Sequence, residues 1–403
     1  MSGTTGQEHV AIVLSGGGAR GAYEAGALSV LLPVLEERGE RPRILVGTSA
    51  GAVNVSFLGS HAELGVGELI SEAVASWTSM SWVQVARPLV SIASLQRLGG
   101  YAGEVLGLPG LQVESLLDPA PLRQTLREQI DFDQLASNIE AGRVECAAVV
   151  ATSALTGRSV VFHAGRPSPP PDNRRGIDYV ATTLIEEHVL ASAAIPAVFP
   201  AVHVERPHAA RGWYFDGGTH LNTPLKPALK LGAERVVVIA ISPLGPGPAS
   251  LAGERRPDAL VAAGQILIGI LDNQLTADVH TLAMVNALIG RRPRSASTGK
   301  RRVPYIVIAP AEPDPIATRA LAVVREHYSS AVQTARSPNV ALLARLTAAG
   351  DDAAHAALLS FLLFAPEFAQ ALIKLGRQDA TRWLEQTHDH DDLWQVGPLP
   401  PSG

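Results

Sequence analysis

One cysteine in 403 residues excludes an internal disulfide framework, and Cys146 sits in an apolar run, Glu145-Cys-Ala-Ala-Val-Val150, that reads as buried strand. Aromatic residues make up only 5% of the chain and charged residues 18%, against 46% hydrophobic. Such a composition excludes a disordered or strongly solvated polypeptide and predicts a large buried core. Charge of one sign is also scarce: the formal net charge is -5, which gives no overall electrostatic reason to bind nucleic acid. No uninterrupted apolar stretch reaches the ~18 to 20 residues of a membrane span; the longest, 356–365, stops at Pro366. The first eight residues carry no basic segment, so we expect no signal peptide and a cytoplasmic location.

Glycine, by contrast, is plentiful, and 37 residues of it concentrate where apolar runs end. The run His9-Val-Ala-Ile-Val-Leu14 reads as a first strand that breaks into Ser15-Gly-Gly-Gly-Ala-Arg-Gly21 before a helix over 22–37, closed by Gly39. A second strand, 44–46, breaks at Gly47-Thr-Ser-Ala-Gly51 into a helix over 52–60. The second break is a nucleophile elbow, in which a strained serine projects its hydroxyl from a strand tip and small residues are needed on either side. Two strand-loop-helix units in tandem put both glycine turns at strand carboxyl ends, where open α/β sheets build their sites.

Further along, 77–110 is irregular and reads either as a lid over the site or as a surface excursion. A proline start leads into a helix ending near 129, and 144–153 with 158–163 form a hairpin followed by a Pro-rich loop over 165–176. The segment Gly212-Trp-Tyr-Phe-Asp-Gly-Gly218 is a short strand that delivers Asp216 into a glycine turn. Strands are expected at 236–241 and 303–309, and helical patterns at 258–290, 317–335 and 341–384.

A serine hydroxyl needs a base to take its proton, and the tetrahedral intermediate needs donors for its oxyanion. Ser49, Asp216 and the amides of Gly17 and Gly18 are candidates for these parts. A triad is the competing arrangement, with His220 or His280 as third member. Gly16-x-Gly18-x-x-Gly21 also fits a dinucleotide fingerprint, but that motif wants an acid after the second strand, and here the strand is flanked by Arg41 and Arg43 and ends in the serine. His388-Asp-His-Asp-Asp392 reads as a solvated tail that could bind a metal adventitiously. The six basic residues of 291–302 are a solvated loop or an anionic-membrane contact.

Gly16-Gly-Gly-Ala-Arg-Gly21, Gly47-Thr-Ser-Ala-Gly51, Ala191-Ser-Ala-Ala-Ile-Pro-Ala-Val-Phe-Pro200 and Asp216-Gly-Gly218, in this order, resemble the patatin-like phospholipase family. The likeness covers roughly 9–230, and Leu363-Phe-Ala-Pro-Glu-Phe368 also looks like bacterial members. It implies a three-layer α/β/α sandwich with a mostly parallel sheet: a catalytic core over 9–230, its completion over 231–310, and a helical C-terminal region over 311–403. It implies a serine lipid acyl hydrolase with Ser49 as nucleophile, Asp216 as proton acceptor and the Gly16, Gly17, Gly18 loop as oxyanion hole. The supporting glycines would be Gly21, Gly47, Gly51, Gly217 and Gly218, and Arg20 would hold the loop or meet a lipid phosphate. The reaction implied needs no metal or cofactor, and its partner is a phospholipid or other acyl-ester lipid, met through peripheral membrane contact. Acyl transfer on the same site and a catalytically silent lipid-binding protein are the alternatives.

Overall fold

The computed structural model describes residues 8–87, 117–196, 198–244, 275–289, 302–311, 315–328, 340, 353–387 and 393–397. The apolar runs found in the sequence form the middle of one sheet. β1 (Val10–Leu14) pairs in parallel with β2 (Ile44–Thr48) on one side and β8 (Arg235–Ile239) on the other. β3 (Cys146–Ser153) continues in parallel beyond β2, and β9 (Tyr305–Ile308) beyond β8. All five are buried on both faces almost throughout, as parallel strands must be when helices cover both sides.

β4 (Ser159–Ala164) returns antiparallel from β3, as the hairpin pattern predicts, and β5 (Ile177–Ala181), not foreseen, extends that edge in parallel to β4. Its alternating burial over only five residues is too brief to stand out after the Pro-rich loop. β6 (Val202–Val204) and β7 (Gly212–Asp216) form a ribbon that joins the sheet through β3. The sheet order is β5-β4-β3-β2-β1-β8-β9, with β6 and β7 off that path.

One face is covered by α1 (Gly21–Glu37), α2 (Ala50–Ser60) and α3 (Val66–Ser79), whose buried side chains join those of Ile12, Leu14, Leu45 and Val149 in one core. The predicted inward stripe of α1, Leu28, Leu31, Leu32 and Leu35, is buried there. On the opposite face Leu225 and Ala228 of the helix Leu225–Lys230 and Val279, Leu282 and Ala283 of the helix Leu275–Ile289 close over Val13, Val46 and Val238. The result is an α/β/α sandwich. α3 corrects the irregular reading of 77–110 at its start: Trp77 lies in the last turn of this helix and Trp82 in the short α4 (Trp82–Val85), both buried, while 88–110 lies outside the described residues.

α5 (Ala120–Gln129) follows its prolines as expected, and α6 (Phe132–Glu140) follows it with Asp131 accepting a bond from the Gln134 amide as N-cap. The pattern at 341–384 resolves, where described, into α11 (Ala353–Leu362) and α12 (Pro366–Thr387). The chain turns by 102° between them, with Pro366 opening the second helix. Among the described residues no single helix is long and apolar enough to cross a membrane. α12 packs directly on α1: a Cβ on Gly26 would lie 2.3 Å from Ile373 O, and one on Gly376 2.2 Å from Tyr23 O. The buried Tyr23 hydroxyl donates to Asp379 Oδ2 at 3.0 Å across the same interface.

Candidate active site

Ser49 stands between the end of β2 and the first residue of α2 at φ 54°, ψ -122°; among the described residues it is the sole non-glycine with positive φ. A left-handed serine at a strand-to-helix turn stores strain that its surroundings must hold. Gly47 and Gly51 allow the turn by their lack of side chains: a Cβ on Gly47 would meet Gly51 O at 2.2 Å, and one on Gly51 would meet Leu14 O at 2.5 Å. The Ser49 amide donates to Ser192 Oγ at 2.9 Å, and that hydroxyl donates onward to Val150 O at 2.6 Å. Ser192 belongs to α7 (Glu186–Ser192) and thereby pins the turn at Ser49 to β3.

Asp216 reaches Ser49 through an exchange of neighbours along β3. β2 pairs with β3 as far as Thr48 opposite Val150, then turns away at Ser49. β7 takes over from Ala151 onward, running antiparallel and ending with Asp216 opposite Ala151. Because β4 already occupies the other edge of β3 at these positions, β7 lies on the side that β2 vacates. Gly217 makes the join possible, since a Cβ there would lie 2.2 Å from Val150 O. Asp216 is buried, and its Oδ1 accepts the Gly218 amide at 2.7 Å. Oδ2 has no partner at full hydrogen-bonding geometry, yet the Ser49 hydroxyl is near enough to hold the carboxyl down against burial. Desolvation dominates and pushes Asp216 up to about 7.

The glycine loop follows β1 on the other side of Ser49, where a Cβ on Gly16 would meet Ser49 Cβ at 2.9 Å. Gly16 donates its amide to Asn222 O at 3.2 Å. The amides of Gly17 and Gly18 have no acceptor among the described residues, so of the three glycines these two have donors to offer. Gly18 has φ +57°, and Phe361 O comes within 2.3 Å of where its Cβ would be. The buried Arg20 turns away toward the C-terminal helices: it donates to Ser360 Oγ at 2.8 Å and Ala357 O at 3.2 Å, with its guanidinium 3.9 Å from the Phe361 ring centroid. These contacts tie the loop residue Arg20 to the C-terminal helices. Gly21 gives room to Trp77, whose ring would lie 2.7 Å from a Cβ there.

Beside Ser49 and Gly18 lies a narrow cleft of about 40 Å³, walled by Val53, Leu122, Leu126, Ile195, Phe199 and Phe361 among other residues. Its wall is mostly apolar and carries no charged side chain, with Ser49, Thr125 and Gln129 among its polar residues. A surface of this kind favours apolar groups on simple grounds of burial.

The remaining sequence candidates fall elsewhere. His220 Nδ1 is 2.8 Å from Ser159 Oγ, and His280 is exposed on the helix Leu275–Ile289. His388 to Asp392 and nearly all of 291–302 lie outside the described residues; among those described, no cluster of three or more acidic, histidine or cysteine side chains is arranged to hold a metal ion. Cys146 is buried, and desolvation pushes its thiol up to about 12. In the sequence Ser192 stands within a quoted motif without being distinguished there, Trp77 stands at the start of the segment read as a lid or surface excursion, and Asn222 has no local signal.

Fold and site together define a class: an α/β/α protein that brings a strained serine and a buried carboxyl to the carboxyl edge of a mostly parallel sheet. The family model described as patatin-like phospholipase matches residues 12–229, over half the chain, and the protein belongs to that family. No curated protein matches it. Among solved structures, VipD from Legionella pneumophila is 13% identical with a TM-score of 0.36, covering 94% of this chain and 67% of that one. Human GIVD cytosolic phospholipase A2, in complex with methyl gamma-linolenyl fluorophosphonate inhibitor and terbium chloride, is 13% identical with a TM-score of 0.39. That match covers 95% of this chain and 59% of the human one, so this chain spans about three fifths of its length.

Proposed function

We propose that the protein is a serine lipid acyl hydrolase of the phospholipase A or lysophospholipase type, acting through a Ser49–Asp216 dyad. Asp216 Oδ2 takes the Ser49 proton as Oγ attacks the ester carbonyl, and the oxyanion is met by the amides of Gly17 and Gly18. Collapse expels the alcohol with the proton held on Asp216 and leaves an acyl-enzyme whose chain lies in the apolar cleft. Asp216 then deprotonates the water that releases the fatty acid. The amino end of α2 at Ser49 adds a favourable field for the developing charge. The lipid is met by peripheral contact with a membrane from the cytoplasmic side.

The observation that carries this reading is the exchange of β2 for β7 along β3, which sets a buried carboxyl oxygen without a formed hydrogen bond beside a strained serine. The family supports the lipid ester as substrate class. The experiment is fatty-acid release from mixed phospholipid and neutral-lipid vesicles by wild type, Ser49→Ala and Asp216→Ala, with lipids resolved by mass spectrometry. Release that both substitutions abolish is the expected result. A wild type that neither releases fatty acid nor reacts with a serine-directed phosphonate overturns the hydrolase reading.

A further inference from the structure

Behind the glycine loop lies a fully buried carboxyl that the reaction above does not use. Glu24, on the first turn of α1, accepts the Ser15 amide on Oε1 at 2.8 Å and the Asn54 side-chain amide on Oε2 at 2.7 Å. Asn54 Nδ2 also donates to Gly21 O at 3.1 Å, and Asn54 Oδ1 accepts Trp77 Nε1–H at 2.8 Å. An indole N–H can only donate, so it decides which way the Asn54 amide faces and leaves its NH₂ for Glu24. One network thus ties together the loop, α1, α2 and α3.

Ser15 is the residue directly before Gly16, and all its polar groups are held: its amide by Glu24, its carbonyl by the Gly51 amide at 3.2 Å, its hydroxyl by Thr223 Oγ1 at 2.8 Å. Asn54 lies five residues after Ser49 on the helix that opens at the nucleophile, and Trp77 forms part of the wall of the apolar cleft. A buried polar network in which every member is satisfied rigidifies the elements it joins.

We propose that Glu24 is a positioning residue for the reaction of Ser49: by holding the Ser15 amide and the Asn54 side chain at once, it sets the glycine loop against the helix that carries the nucleophile. This rests on the hydrolase reading, because the geometry it fixes matters to turnover only if Gly17 and Gly18 receive an oxyanion. Burial pushes the Glu24 carboxyl up to about 8, while the two N–H donors hold it down. Both oxygens are faced by donors, so the network is complete when the carboxyl is ionised, and the variants below are compared with wild type at pH 9, above that value.

Glu24→Gln tests this with little change of volume. It turns one acceptor into a donor and brings NH₂ against either the Ser15 amide or the Asn54 amide. A misplaced oxyanion donor costs turnover rather than binding, so kcat on a soluble short-chain ester is expected to fall about 10²-fold, with KM within about threefold of wild type. Amide hydrogen exchange at Ser15 to Gly18 is expected to rise in the same variant, while thermal unfolding stays cooperative above the assay temperature. Adding Trp77→Phe frees the Asn54 amide to turn toward the new NH₂, so the double variant loses less than the product of the two single losses. Should the glutamine variant not fold, Glu24→Asp, which keeps the charge but shortens the reach, is measured by the same two readouts.

A kcat within about twofold of wild type, or unchanged exchange at Ser15 to Gly18, overturns the proposal. Wild-type turnover and phosphonate labelling of Ser49 test the hydrolase reading separately. The exchange measurement reports on Glu24 even if no turnover is found.

Discussion

In the proposed reaction Asp216 is the base, and its burial has a measurable signature. A base must be deprotonated to take the Ser49 proton, and desolvation, only partly countered by Ser49 and the Gly218 amide, pushes this carboxyl up to about 7. The expected profile of kcat/KM is therefore a rise with pH through about 7 to a plateau, where an ordinary exposed carboxylate would have titrated near 4. Measuring initial rates on a soluble ester from pH 5 to 9 checks it, and a flat profile over that range counts against Asp216 as the base. Ser49 and Asp216 were legible in the sequence because their signals are local: a serine between two glycines after an apolar run, and an aspartate before two glycines. Ser192 and Glu24 were not. Each is a polar residue inside a helix, and each acquires its role from a partner that only packing brings near, Ser49 for one and Asn54, together with the nearby Ser15, for the other.

Among the elements, the pairing of α1 with α12 joins the first glycine turn to the C-terminal helices. The two backbones approach so closely at Gly26 and Gly376 that a methyl group on either meets backbone atoms, which cannot rotate aside. Gly26→Ala is expected to destabilise by about 1 to 3 kcal/mol, read as a fall of several degrees in the unfolding midpoint. Gly67→Ala on α3 is the matching control, because nothing lies within 4 Å of its Cβ position. There the substitution removes chain entropy from the unfolded state, and the midpoint is expected to hold or rise slightly. Differential scanning of both variants separates close packing from helix propensity. The helical pattern at 341–384 was legible in its composition, but the 102° turn before Pro366 and the face α12 presents to α1 were not. Hydrophobic periodicity reports that a face is buried, and not against which partner.

Across the whole molecule, two buried carboxyls give stability a sign with pH. Glu24 is pushed up to about 8 and Asp216 to about 7, so in the folded state both keep protons that the unfolded chain releases near pH 4. Where the folded state binds more protons, stability falls as pH rises. Their contribution is complete below about 4 and is lost as pH climbs through about 7 to 8, with a loss on the order of a few kcal/mol falling between pH 6 and 9. The unfolding midpoint is expected to be higher at pH 6 than at pH 9, and Asp216→Asn is expected to narrow that gap; an equal gap in the variant would mean that this carboxyl is not the source. The sequence by itself determined the parallel strands, their glycine breaks and the turns that carry Ser49 and Asp216, because strand burial and tight turns are written in neighbouring residues. Tertiary structure alone decided that β7 replaces β2 along β3 and so brings Asp216 to Ser49, that Arg20 turns to the C-terminal helices, and that Glu24 stands behind the glycine loop. These are contacts between segments 30 to 340 residues apart, set by which faces pack together, and no local pattern encodes them.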